Sequence, residues 1–217
     1  VNQMRAVVVD DHPLMRFALK VKLQSCGAEV IASAATVAQG TELLSREDYD
    51  VAIVDLSLPD GSGRDLIGSL SRGKREKVLA VTAQPAARQA AELISLGCGG
   101  YVSKNVDTVT FCDFTQRVRA GERVIDPGLA SDVLGRLTNP GRYPSLTERE
   151  DAVLQAIAGG VTKNRDIAEL LCCAESTVRT HVDRMYTKFG VNDRAMLLIA
   201  ALHEGFLHHR STVAALA

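Results

Sequence analysis

Two textures alternate through residues 5–121. Short runs rich in β-branched residues begin at Arg5 (RAVVVD), Ala28 (AEVIAS), Val51 (VAIVD), Lys77 (KVLAVT) and Gly100 (GYVSK). Each is followed by a longer stretch with helical apolar spacing, at about 12–26, 36–47, 62–72, 86–96 and 107–121. Within VVV and VAIV the apolar and polar positions do not alternate, so both faces of those strands are expected to be buried. Five βα repeats of this kind predict an α/β domain with a parallel sheet covered by helices on both faces.

The pattern changes after residue 121. Residues 122–145 carry Pro127, Pro140 and Pro144 among glycines and polar residues, and read as a linker with one short helix near 128–137. No strand texture follows in 146–206. Leu146-Thr147-Glu148-Arg149-Glu150 has the form of a helix start, with Thr147 as cap and Glu150 three residues on. Helices are expected at roughly 147–158, 165–172, 175–189 and 192–205, a small all-α domain with tight turns. The tail at 207–217 shows no clear anchor and is expected to be partly disordered. The expected organisation is therefore 1–121, a linker at 122–145, 146–206 and a tail.

The 217 residues, 46% hydrophobic and 24% charged, suit one large or two ordinary globular domains. No apolar stretch reaches membrane-spanning length, so no membrane partner is expected. The opening VNQMRAVVVDD has too short an apolar run for a signal peptide, which gives the expectation of a cytoplasmic protein. Five cysteines, with no C-x-x-C pair, argue against a disulfide framework or a zinc site. Adjacent Cys172 and Cys173 read either as small packed residues or as a redox or thiophilic-metal pair. A net charge of −1 by itself predicts no nucleic-acid partner.

In a parallel α/β sheet, ligands gather outside the carboxyl ends of the strands. The first strand ends in Asp10-Asp11, the third in Asp55, the fourth in Thr82 and the fifth at Ser103-Lys104. The steps from Asp55 to Thr82 and from Thr82 to Lys104 are 27 and 22 residues, about one repeat each; Asp10 to Asp55 is 45, about two. All four ends can share one edge. Three carboxylates would repel unless a cation intervenes, and an oxygen-only donor set with room for water suits Mg²⁺. With Lys104 as a further positive charge and Thr82 as a hydroxyl donor, the group is suited to holding a phosphoryl group, and a carboxylate can carry one as an acyl phosphate.

The motifs VVVDDHP, VDLSLPDGSG, VTA and GYVSK, in this order and spacing, resemble the signature of receiver domains in bacterial two-component response regulators. The resemblance covers residues 5–121. It implies a flavodoxin-like (βα)5 domain with strand order 2-1-3-4-5 and Asp55 as phosphoacceptor. It implies Asp10 and Asp11 as the acidic pair around Mg²⁺, joined by Asp55 and the backbone carbonyl of Ser57. Thr82 and Tyr101 match the family's switch pair and Lys104 its phosphate-binding lysine. A sensor histidine kinase is the implied phosphodonor.

On the helix expected at 175–189, Val178, Val182, Met185 and Phe189 fall on one stripe, with Ser176, Thr180, Asp183 and Thr187 opposite and Arg179 and Arg184 flanking. That face fits a helix-turn-helix reader, with Ser176 and Thr177 placed to bind phosphate at the helix start. It equally fits a helical protein-interaction module, because residues 145–217 hold eight Lys and Arg against nine Asp and Glu. LTEREDAVLQAIAGG, NRDIAELL, ESTVRTHVDRMYTKFGV and NDRAMLLIAAL resemble the LuxR-type helix-turn-helix of NarL/FixJ-family regulators. The resemblance implies double-stranded promoter DNA as partner and 175–189 as the recognition helix. Arg179, Thr180 and Asp183 match DNA-facing positions, Lys188 a basic position at the helix end, and 192–205 a homodimer surface. Asp183 stands where members often carry a basic or polar residue; it either accepts from cytosine N4 or neutralises Arg179. GGVTKNRDIA is one residue longer than the usual turn.

The combined expectation is a phosphorylation-dependent transcriptional regulator, not an enzyme beyond its own phosphoryl chemistry at Asp55. The alternatives are a receiver that controls DNA binding without phosphorylation, a protein-binding adaptor, and an aspartate-nucleophile phosphohydrolase. The last is disfavoured by Ser57, which stands where such enzymes generally need a second acid.

Overall fold

The computed structural model describes residues 3–207, and the tail expected to be disordered lies almost wholly outside them. The chain divides into two compact units, one running through Pro85 and over Gln89–Leu134, the other from Gly135 on together with Ala86–Arg88. The first holds β1 (Met4–Val9), α1 (Pro13–Ser25), β2 (Ala28–Ala34), α2 (Val37–Arg46), β3 (Val51–Asp55), the short strands β4 (Ser57–Leu58) and β5 (Gly61–Ser62), α3 (Gly63–Ser69), α4 (Arg72–Arg75), β6 (Val78–Thr82), α5 (Ala87–Leu96), β7 (Gly100–Ser103), α6 (Thr108–Arg119) and β8 (Val124–Ile125). The division falls within α7 (Ala130–Thr138). The second unit holds α8 (Glu148–Ala158), α9 (Asn164–Leu170), α10 (Glu175–Phe189) and α11 (Arg194–His203).

The main sheet is parallel with order β2-β1-β3-β6-β7-β8. Its first five members reproduce the expected 2-1-3-4-5 order. The sixth, Val124–Ile125, pairs with Gly100 and Tyr101 in a stretch read from sequence as linker. Two residues are too few to carry a strand pattern, and the flanking proline and glycine mask them. Val51, Ala52, Ile53 and Val54 have no exposed surface, so the unbroken apolar runs do mark strands covered on both faces. Val51, Ile53 and Val54 each contribute about 1.5–3 kcal/mol by leaving water.

Alternate residues of the strands face different helices. Ala6 and Val8 of β1 pack with Leu19 and Leu23 of α1 and Phe111, Phe114 and Val118 of α6. Val9 faces the other way, where Gly40 of α2 lies against it and Leu66 of α3. Thr36 caps α2 by accepting from the Gln39 N–H, and Asp107 caps α6 by accepting from the Thr110 N–H.

The expectation against a disulfide is overturned: the structure joins Cys26, at the end of α1, to Cys112 of α6. The separation of 86 positions hides the pairing, since only the packing of these two helices on one sheet face brings the cysteines together. Cys98 is buried and free, and Cys172 and Cys173 are exposed and free.

The four helices of the second unit enclose their own core, built from Val153, Leu154 and Ile157, Ile167, Val178, Val182 and Met185, and Leu197 and Ala201. Thr147 and Glu150 form the expected capping box at α8. Gly190 ends α10 in the left-handed conformation (φ 66°), which a residue with a Cβ adopts only at a cost.

Candidate functional site

Strands β1, β3, β6 and β7 deliver Asp10, Asp55, Thr82 and Lys104 to one edge of the sheet. Asp10 and Asp55 are buried. The Lys104 ammonium lies between them, 2.6 Å from Asp10 Oδ2 and 2.7 Å from Asp55 Oδ2. The Lys104 backbone N–H donates to the Thr82 carbonyl at 2.8 Å, which fixes the loop from which the lysine reaches back. Burial raises the pKa of Asp55 more than the Lys104 hydrogen bond and charge lower it. For Lys104 burial acts downward, but the hydrogen bonds it donates to Asp10 and Asp55 outweigh it and hold its pKa above the ordinary value.

Asp11 adjoins this triad, with its Oδ1 2.5 Å from His12 Nδ1. The ligand atoms of Asp10, Asp11, His12 and Asp55 all lie within 4.8 Å of one another. Carboxylates concentrated this way, with hard oxygen donors in the majority, fit a divalent cation.

The turn after Asp55 is held from several sides. The Ser57 N–H donates to Asp55 Oδ1 at 3.2 Å. Asp60 accepts from the backbone N–H groups of Val37 (2.7 Å) and Ala38 (3.1 Å), tying the turn to the start of α2. At Gly63 a Cβ would fall 2.0 Å from the Asp55 carbonyl oxygen, so only glycine lets α3 start this close to the β3 end. Thr82 is buried, and its hydroxyl accepts from the Gln84 N–H at 3.2 Å. Tyr101 is fully buried, its hydroxyl donating to Gln89 Oε1 of α5 at 3.2 Å.

In the other unit, Val178, Val182 and Met185 of α10 are buried while Ser176, Thr177, Arg179, Thr180, Asp183, Arg184 and Lys188 are exposed. The helix thus presents a polar face with two arginines. No side chain caps its N-terminus, where Ala174 is the capping residue.

A model of the response regulator receiver domain matches residues 6–116, and one of bacterial regulatory proteins of the luxR family matches residues 144–201. The chain belongs to the response regulator family. Its pairing of a receiver with a LuxR-type domain is that of the NarL/FixJ type. The nitrate/nitrite response regulator protein homolog of Haemophilus influenzae is 31% identical, over 89% of this chain and 93% of its own length. NarP of Escherichia coli, a nitrate/nitrite response regulator protein, is 30% identical over 92% of this chain and 95% of its own. Among solved structures, the complex of the response regulator RcsB with DNA covers 93% of this chain and 99% of its own, with a TM-score of 0.62 and 21% identity, a likeness of fold.

Against this response-regulator frame, Asp10, Asp11, Asp55, Thr82, Lys104 and Tyr101 stand where the sequence places them. Asp55 is 2% exposed and closed over by Lys104. Lys188, expected among the DNA contacts, gives its ammonium to Glu150 Oε2 (2.6 Å) and to the Ser145 carbonyl (2.8 Å). The cause is Glu150, a buried carboxylate that needs a cation more than the surface does.

Three positioning contacts have no sequence signal: Asp60 on α2, Lys188 on Glu150, and Arg194 of α11 on the Thr162 carbonyl and Asn164 Oδ1. The last pair holds the turn within GGVTKNRDIA, read from the sequence as one residue longer than usual. Each joins residues 22 or more positions apart, beyond the reach of any local pattern.

Proposed function

We propose that Asp55 is the phosphoacceptor of this response regulator and that its phosphorylation by a sensor histidine kinase controls binding of α10 to promoter DNA. The observation that carries the reading is the triad of Asp10, Asp55 and Lys104, buried at the strand ends and held by three separate βα connections. In its ionised form Asp55 attacks the phosphorus of the donor and the donor's leaving group departs with the bonding pair. Lys104, already 2.7 Å from Asp55, is placed to pair with the phosphoryl oxygens.

Asp10, Asp11, Asp55 and the Ser57 carbonyl are the residues that would hold Mg²⁺, which supplies charge neutralisation at the transferring group. Thr82 and Tyr101 form the switch pair. The Thr82 hydroxyl, bonded to Gln84 of its own turn, is placed to turn toward a phosphoryl oxygen, and Tyr101 is already lodged inward on Gln89. On α10, Ser176 and Thr177 serve phosphate contacts, and Arg179, Thr180, Asp183 and Arg184 face the groove. In support, the DevR/DosR relative from Mycobacterium tuberculosis, 29% identical over 91% of this chain, is a DNA-binding transcriptional activator. We assign dimerisation to α11, where Met196 and Ile199 are exposed apolar residues, and place the protein in the cytoplasm.

Incubation with a small acyl phosphate and Mg²⁺, followed by intact mass, tests the first half. The wild type should gain one phosphoryl group and Asp55→Ala none; equal labelling of both overturns the assignment. Mobility shift on promoter fragments tests the second half, where Arg179→Ala should lose binding at equal phosphorylation.

A further inference from the structure

We propose that Cys26 and Cys112 are a reversible redox modification site, whose disulfide staples α1 to α6. The structure brings the two residues together across 86 positions with a Cα–Cα distance of 5.1 Å, inside the range that a disulfide spans without backbone movement. Packing, not the bond alone, sets this approach. Leu19 and Leu23 of α1 and Phe111 and Phe114 of α6 share one core. On either side of the cysteines, Lys22 Nζ donates to the Val106 carbonyl at 2.7 Å and Gln116 Nε2 to the Cys26 carbonyl at 3.2 Å. The two thiols are therefore held close in the reduced protein as well, which makes ring closure an intramolecular step at high effective concentration.

Both cysteines are half-buried, so a small reagent reaches them. Cys98 is fully buried, with burial pushing its thiol up to about 11, and is unreactive. Where thiols are kept reduced, a bond of this kind forms and breaks rather than persists. The oxidant is a low-molecular-weight disulfide of the glutathione class. One cysteine thiolate attacks it and expels a first small thiolate; the second cysteine thiolate attacks the protein sulfur of the mixed disulfide and expels the other. One reagent S–S bond is exchanged for one protein S–S bond. The protein loses two electrons and the reagent gains two, with the two thiol protons passing to the released thiols.

The location gives the bond a consequence. Helix α1 begins directly after Asp10, Asp11 and His12, and α6 follows the loop that carries Lys104. Oxidation ties the end of α1, the helix that follows Asp10 and Asp11, to the first turns of α6, the helix that follows Lys104. The site does not depend on the phosphoacceptor reading, and its test uses no phosphodonor.

The full chain is equilibrated in mixtures of glutathione and glutathione disulfide, quenched in acid, unfolded, alkylated and weighed. Five alkylated cysteines are expected under reducing conditions and three under oxidising ones, with a peptide map joining Cys26 to Cys112. The thermal midpoint of the first unit should rise on oxidation by on the order of 10 °C, because a long loop is closed in the unfolded chain. Cys26→Ser and Cys112→Ser should show no such rise; if either fails to fold, reduced against oxidised wild type decides alone. Five alkylated cysteines at every ratio, a link through Cys98, Cys172 or Cys173, or an unchanged midpoint overturns the proposal.

Discussion

A buried acid at the end of an apolar strand is costly, and the structure shows how the cost at Asp55 is met: a lysine from two repeats away, 2.7 Å distant, is shared with Asp10. Removing that lysine leaves two carboxylates facing each other out of water. Lys104→Met is therefore expected to destabilise the first unit by about 1–3 kcal/mol at neutral pH. Added Mg²⁺ should stabilise the variant more than the wild type, since a cation can replace the lost charge. Denaturant titrations with and without Mg²⁺ read this directly, and an equal response from both proteins would count against a metal among these carboxylates. Gly63 tests the backbone side of the same pocket. In Gly63→Ala the added methyl meets the Asp55 carbonyl at 2.0 Å, and displacing that turn should cost about 1–3 kcal/mol. Because the displaced atoms belong to Asp55, the proposed phosphoacceptor, acyl-phosphate labelling should fall by more than the unfolded fraction explains.

Among the elements, α8 and α10 show how a capping motif becomes a tertiary link. Glu150 closes the capping box on the Thr147 N–H at 2.8 Å and takes the Lys188 ammonium at 2.6 Å. Burial pushes its carboxyl upward, but Lys188 and Thr147 together prevail and hold its pKa below the usual carboxylate value. A carboxylate lowered in the folded state contributes stability that is complete above its unfolded pKa and lost as pH falls through the folded one. Glu150→Gln should thus unfold about 1–2 kcal/mol earlier at neutral pH, and the difference should close in the acid range below the ordinary carboxylate pKa. Urea midpoints of both proteins across pH 7 to the acid limit measure it; a gap that persists in acid would assign the loss to packing instead. Local pattern makes half of this arrangement readable in advance. Thr147 and Glu150 are three residues apart and announce a cap, whereas Lys188 is 38 residues from Glu150 and reads only as a basic residue at a helix end. The same division runs through the first unit. Strands β1, β3 and β6 are legible because burial on both faces demands an unbroken apolar run. Val124–Ile125 is not, because two residues carry no period, and the Cys26–Cys112 pair is not, because only the α1–α6 packing creates it.

For the whole molecule, the charge distribution limits how the second unit can hold DNA. Residues 145–217 carry a slight negative balance, and Lys188 is spent on Glu150, which leaves Arg179 and Arg184 as the exposed cations on the outer face of α10. Affinity for a duplex comes largely from phosphate neutralisation, with each contact adding about 0.9 to the slope of log K against log salt. Two arginines per protomer predict a shallow slope near 2 for one copy and near 4 for a pair on adjacent half-sites. A single copy should then bind weakly at physiological salt, and phosphorylation can act by raising the population of pairs without altering either helix face. Binding isotherms of the phosphorylated full chain on one and two half-sites, between low and physiological salt, separate the possibilities. A slope that doubles with the second half-site supports reading by paired α10 helices. A steep slope on a single half-site would mean that cations outside α10 carry the contact, and that the output surface lies elsewhere on the chain.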